Sequence, residues 1–161
     1  MTTIAVTGHM DLTSESVPLV RAELARLLGT YSPADLIGIS CIAKGSDSLF
    51  AQAVLDAGGR LIVVVPSRDY RAKKVKPEHA DLFDRLTTAA GEVLVMPHEA
   101  ATREAYEAAN AELLQRADRL IAVWDGNAPT GKGGTADFVS HARAAGLPVD
   151  VVWPEGASRE G

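Results

Sequence analysis

The stretch Leu36-Ile-Gly-Ile-Ser-Cys-Ile-Ala-Lys-Gly-Ser-Asp-Ser-Leu-Phe-Ala-Gln-Ala-Val-Leu-Asp-Ala-Gly-Gly-Arg-Leu-Ile-Val-Val-Val65 decides the fold class. Its two ends, Leu36–Ser40 and Leu61–Val65, are short runs rich in aliphatic residues. Near-continuous apolar runs of that length read as strands covered on both faces. Between them the period changes. Leu49, Phe50, Ala53, Val54 and Ala57 recur at three- and four-residue steps, one stripe of a helix over Ser46–Ala57. The helix stops at Gly58-Gly59, because glycine accepts the positive φ of a helix C-cap without a Cβ penalty. Strand, helix and strand in this order form a βαβ unit, which requires parallel strands.

The same alternation continues in both directions. Strands are predicted at Thr3–Thr7, Val93–Met96, Leu120–Trp124 and Val149–Val152. Helices are predicted at Ser14–Leu28, Glu78–Ala90, Thr102–Arg116 and Thr135–Ala145, the last ended by Gly146 with Pro148 beyond it. The fold class is therefore α/β: a single Rossmann-like, doubly wound, mostly parallel sheet of about six strands with helices on both faces. Residues 1–153 form the one domain, and 154–161 read as a disordered tail. The length of 161 residues and the 47% apolar content agree with one domain and one core.

Composition narrows the chemistry. A single cysteine, Cys41, leaves no disulfide framework, and His9, His79, His98 and His141 are scattered without metal-ligand spacing, so neither metal nor cofactor is expected. The longest apolar run, Leu61–Pro66, is too short to cross a bilayer. No signal peptide is recognisable, and a cytoplasmic location is expected. A net charge of −5 disfavours nucleic acid as a partner. Arg68, Arg71, Lys73, Lys74 and Lys76 are a local exception, readable as a solvated loop or as a flap over an anionic ligand.

In an open parallel sheet, ligands bind beyond the carboxyl ends of the strands. That rule selects three loops: Thr7–Asp11, Ala43–Asp47 and Asp125–Thr135. In the third, Gly131, Lys132, Gly133 and Gly134 precede Thr135 and open a helix. Glycines let a ligand approach the backbone closely, and the unpaired N–H groups of a helix start attract phosphate. The alternative is a tight turn capped by Thr135. Gly126 to Lys132 matches GxxxxGK, but Gly133 stands where a P-loop needs Ser or Thr for Mg²⁺, which excludes that class of NTPase. In the second loop Lys44 and Gly45 are candidate contacts, and Ser46 or Asp47 a helix N-cap. In the first, Gly8 permits close approach and His9 is a candidate contact. Asn110 falls in register with Tyr106, Leu113 and Leu114, so it is read as a polar group on a core-facing stripe, satisfied by backbone or by ligand.

At these residues two family resemblances meet. Gly38 through Asp47, continuing by Ala51 and Ala53 to Gly58–Val65, resembles the Rossmann-like core of the DNA-processing protein family DprA/Smf. Asn110 through Trp124, followed by the Gly131–Asp137 turn, resembles the LOG family of cytokinin-activating phosphoribohydrolases. Together they are similar to the SLOG superfamily over about Ile4 to Trp153. The resemblance implies a Rossmann-like fold and a nucleotide-derived ligand against Gly8, Gly45, Gly133, Gly134 and Thr135. It also implies pairing of the chain as a homodimer or higher homo-oligomer. LOG enzymes carry PGGxGTxxE with a catalytic glutamate; here the third residue after Thr135 is Phe138 and the nearest acid is Asp137.

Three functions remain in play at this point. The first is binding or sensing of a nucleotide or derivative such as AMP, ADP-ribose or an NAD-derived compound. The second is N-glycosidic hydrolysis of a nucleoside monophosphate, with Asp137 and His9 as candidate catalytic residues and Asp11 as an assisting group. The third is a ligand-independent oligomeric scaffold.

Overall fold

The computed structural model describes residues 1–128 and 134–160. Six strands make one sheet: β1 (Thr2–Gly8), β2 (Leu36–Ser40), β3 (Arg60–Val65), β4 (Glu92–Val95), β5 (Arg119–Val123) and β6 (Val149–Val152). Their spatial order is β4-β3-β2-β1-β5-β6, and every pairing is parallel. Six α-helices connect them: α1 (Ser16–Leu28), α2 (Ser46–Asp56), the short α3 (Tyr70–Lys73), α4 (Pro77–Ala89), α5 (Arg103–Arg116) and α6 (Thr135–Ala144). Every predicted strand is present, within one residue or so of its predicted bounds. The sheet is wholly parallel, as βαβ connection throughout demands.

Alternation along each strand sorts the core into layers. Ile4 and Val6 of β1 with Ile121 and Val123 of β5 pack beneath α1 and α2, against Val20, Leu24, Leu28, Phe50 and Val54. Their neighbours Ala5, Leu120 and Ala122 face the other way, onto Ala109 and Leu113 of α5 and Phe138, Val139 and Ala142 of α6. A third cluster joins Leu61, Val63 and Val65 of β3 to Phe83 and Leu86 of α4. Each fully buried aliphatic or aromatic side chain contributes about 1.5–3 kcal/mol, so the central strands anchor the domain. No helix among the described residues is long and apolar enough to cross a membrane.

The order of strands locates the ligand crevice. From β1 the chain builds outward through β2, β3 and β4, then crosses back to lay β5 on the opposite side of β1. Adjacent loops after β1 and β5 therefore diverge and leave a gap at the carboxyl edge.

Residues 154–160, read from composition as a disordered tail, instead lie against the loop after β1. The amide of Glu160 donates to Asp11 O at 2.7 Å, that of Thr13 to Ser158 O at 3.1 Å, and Leu12 and Arg159 form an antiparallel bridge. Polar composition misled here because the segment is held through its main chain, which any side chain permits.

Candidate functional site

Gly8 ends β1, and α2 begins directly across from it. A Cβ on Gly8 would lie 2.5 Å from Ser46 Cβ and 2.8 Å from Val123 Cβ. Gly45, with φ +87°, is equally confined: its Cβ would meet Met10 Cα at 2.8 Å and His9 O at 2.9 Å. Ser46 Oγ donates to His9 O at 2.7 Å. The first two loops are thus pressed together, and both glycines are required by that contact before any ligand is considered. Ser46 and Asp47 do not cap α2 through their side chains; Gly45 is the N-cap and makes no side-chain bond. Ser46 ties the loops instead, and the Asp47 carboxylate turns back to the amide of Ala43. Burial pushes the Asp47 carboxyl up to about 7, far above the ordinary aspartate range, with the Ala43 bond opposing it.

The loop between β2 and α2 carries backbone strain. Buried Ile42 sits at φ +47°, a region β-branched residues avoid. Hydrogen bonds hold it there: its amide donates to Ser40 Oγ at 2.9 Å, and its carbonyl accepts from Ser48 Oγ at 3.1 Å and faces His79 Nε2 at 3.0 Å.

His9 closes the gap between β1 and β5. Its amide donates to Val123 O at 3.1 Å, its Nε2 accepts from the amide of Asp125 at 3.1 Å, and its ring meets Trp153 edge-on at 5.6 Å. Burial first, then the charge of Arg159, lowers its pKa below the usual histidine value, against the opposing pull of Asp125. The imidazole is therefore neutral at pH 7, and an accepting Nε2 assigns the proton to Nδ1. The 3.3 Å approach of Nε2 to Asp125 Oδ1 becomes an ion pair only at acid pH.

Beyond His9 lies a cavity of about 290 Å³ lined by Gly8, His9, Met10 and Asp11 from the β1 loop, Trp124, Asn127 and Ala128 after β5, Gly134, Thr135 and Ala136 at the start of α6, and Arg159. Its size is at the low end of the roughly 300–1,000 Å³ usual for small-molecule sites, room for one compact ligand. Gly134 is the N-cap of α6 at φ +103°, with no side-chain cap. A Cβ built on it meets no described atom within 4 Å. The first turn of α6 lines the cavity through Gly134, Thr135 and Ala136, and helix starts are where anions bind. Thr135, a candidate ligand contact and a cap only on the alternative reading, is buried as the first helical residue.

Of the residues singled out from the sequence, Gly8, His9, Gly134 and Thr135 meet at this cavity. Gly131, Lys132 and Gly133 lie outside the described residues. Lys44 is exposed on the second loop, which does not line the cavity, and Gly45 is spent on the contact with Met10. Asn110 is not on a core-facing stripe. The buried positions of α5 are Ala105, Ala109 and Leu113, and Asn110, one residue and about 100° on, is exposed. Asp137 lies half-buried in the first turn of α6. Composition gave no sign of Arg159. It reaches the cavity through a segment whose path follows from main-chain pairing, and the one available hint was a basic residue after the last strand.

No family model matches the chain, and no curated protein matches it in sequence. Solved structures do match. DprA from Streptococcus pneumoniae superposes with a TM-score of 0.71 at 20% identity, over 97% of this chain and 52% of that one. DprA from Helicobacter pylori gives 0.69 at 18% identity, over 98% and 68%. The fold is the one these DprA proteins have. The Moco carrier protein from Chlamydomonas reinhardtii shares it, with a TM-score of 0.58 at 22% identity over 96% of this chain and 78% of that one. The chain spans about half the length of the S. pneumoniae protein.

The shared fold corrects one expectation. Net charge was taken to disfavour nucleic acid, yet H. pylori DprA, which has this fold, has a single-stranded DNA binding mode. Overall charge is a weak guide because phosphate contacts are local and few. In this chain Arg71 is paired with Asp84 and Arg68 with Glu99, while Lys73, Lys74 and Lys76 are exposed beyond the carboxyl end of β3.

Proposed function

We propose that the domain binds a phosphate-bearing, nucleotide-sized small molecule in the cavity between the β1 and β5 loops. The observation that carries this reading is the glycine-capped start of α6 lining a cavity at the point where strand order reverses. Phosphate oxygens would take the first amides of α6, and Trp124 offers an aromatic wall for a base or sugar. Binding is favoured over hydrolysis through His9, since its Nε2 is already engaged by the Asp125 amide and its ring is held against Trp153. An acid–base catalyst needs a nitrogen free to reach substrate.

The test is titration with AMP and ADP-ribose, followed by calorimetry and by fluorescence of Trp124. Ala136→Glu is the informative variant. A carboxylate in the first turn of a helix is compatible with the helix dipole, so stability holds, but it occupies the anion position. The expected result is a wild-type complex that Ala136→Glu weakens at least tenfold. Undiminished binding by Ala136→Glu would place the ligand elsewhere. Release of free adenine from AMP by the wild-type protein would move the function to hydrolysis.

A second reading, single-stranded nucleic acid along the carboxyl edge, is favoured by exposed Lys44, Lys73, Lys74 and Lys76. It is tested by binding of an oligothymidine at two salt concentrations. Lys73→Gln with Lys74→Gln should lower the affinity and flatten its salt dependence.

A further inference from the structure

Arg159 reaches the cavity from a strap that the chain lays across the β1 loop. After β6 the chain turns at Pro154–Ala157, where the amide of Ala157 donates to Pro154 O at 3.0 Å. The next residues are gripped from both sides. Ser158 N–H donates to Ser16 Oγ at 2.8 Å, Ser16 Oγ donates to Ser158 O at 3.1 Å, and Ser16 itself is fully buried. On the far side of Arg159, Glu160 N–H donates to Asp11 O. The main chain of Arg159 is therefore fixed before its side chain makes any contact, which lowers the entropy lost when the guanidinium engages a ligand.

The guanidinium stands between two carboxylates. Its Nε donates to Asp11 Oδ1 at 2.8 Å, and its Nη1 lies 3.7 Å from Asp125 Oδ2, beyond hydrogen-bond length. Asp125 Oδ1 is engaged elsewhere, accepting from the amide of Asn127 at 3.0 Å. The guanidinium has five N–H donors, of which Nε–H alone is bonded to Asp11. Its side chain is 42% exposed and lines the cavity together with Gly134, Thr135 and Ala136. Among the described residues that line the cavity, the other charged group is the Asp11 carboxylate, with Asp125 behind neutral His9.

We propose that Arg159 is a cationic contact of this site, taking a phosphoryl oxygen of the ligand whose phosphate sits at the start of α6. The inference rests on the phosphate-ester reading of the cavity. Arg159 acts in two ways: it donates to the phosphate, and it masks the carboxylates that would repel one. Asp11 orients the guanidinium but adds a like charge to the ligand's.

That division of roles predicts opposite signs for the two partners of one ion pair. Arg159→Ala should weaken AMP and inorganic phosphate at least tenfold and leave adenosine within about twofold. Arg159→Lys should recover part of the loss. Asp11→Asn should leave AMP affinity unchanged or make it tighter. A merely structural pair behaves differently, with Arg159→Ala and Asp11→Asn weakening AMP and adenosine alike, and that result overturns the proposal. AMP binding by Arg159→Ala within twofold of wild type, where Ala136→Glu has lost it, also overturns it while leaving the site in place. Failure of the wild-type protein to bind either AMP or inorganic phosphate removes the underlying reading, and this inference with it. Amide exchange at Ser158 and Glu160 checks that the strap stays docked in each variant.

Discussion

Glycines at the carboxyl edge of this sheet do opposite work on the two sides of the crevice. Gly8 and Gly45 are glycines because other atoms fill the space a side chain would need, 2.5 Å and 2.8 Å away. Gly134 is a glycine because its backbone turns through φ +103°, with no described atom nearby. The first pair welds two loops into a rigid wall; the third caps a helix start with no described atom against its Cβ position. A binding site needs both, because amides can be pre-organised only against something that does not move. Glycine in a loop is thus not one signal but two, and the neighbouring atoms decide which applies.

The sharpest way to break this contrast is to add carbon on each side. Gly8→Val should be the most damaging change, destabilising by about 3 kcal/mol or more, since α2 or β5 must shift to admit it. Urea denaturation measures it, and a cost below about 1 kcal/mol would mean the wall is looser than described. Gly134→Ala meets no described atom and is expected to carry conformational strain, about 1–2 kcal/mol. If the two substitutions cost the same, the distinction between packed and open glycines fails.

Asp47 sharpens the picture of the packed wall. Its carboxyl is raised from an ordinary value of 3.8 to about 7 by burial, so the folded state disfavours the charge. Well below pH 3.8 the group is neutral in both states and costs nothing. Between about pH 4 and 7 the unfolded chain ionises first and stability falls, levelling off above 7. Asp47→Asn keeps an acceptor for the Ala43 amide and removes the charge. The expected gain is close to zero well below pH 3.8 and about 2–4 kcal/mol at pH 8, read from thermal melts across that range. A gain independent of pH would show that desolvated charge is not the cause.

The smallest effect concerns the seam between the loops. Ser46→Ala removes the bond from Ser46 Oγ to His9 O and should cost about 1 kcal/mol. It should also broaden the amide resonance of Asp125, which depends on His9 staying in place. An unchanged Asp125 resonance would show that His9 is held by Trp153 and Asp125 alone.

Much of the architecture was legible from periodicity. The strand runs and the Ser46–Ala57 stripe depend on residues near in sequence, and burial on both faces leaves a compositional mark at each strand. Gly134, Thr135 and the start of α6 were legible as a helix start for the same reason, because helix starts are local. Asn110 was misread because two stripes on α5 differ by a single residue, and alanines at 105 and 109 give a weak apolar signal although they face the core. Nothing local distinguishes a glycine under Ser46 from a glycine under open space.

From sequence alone came the parallel sheet, the helices that cover it and the edge where a ligand would sit, since each follows from side-chain pattern within a few residues. Tertiary structure alone decided which loops touch, that His9 Nε2 accepts a hydrogen bond from the Asp125 amide and that Arg159 meets Asp11 across 148 positions of chain. Those contacts are made through main-chain amides and through strand order. Neither leaves a trace in residue type, because every residue carries the same backbone and the order is set by how the whole sheet closes.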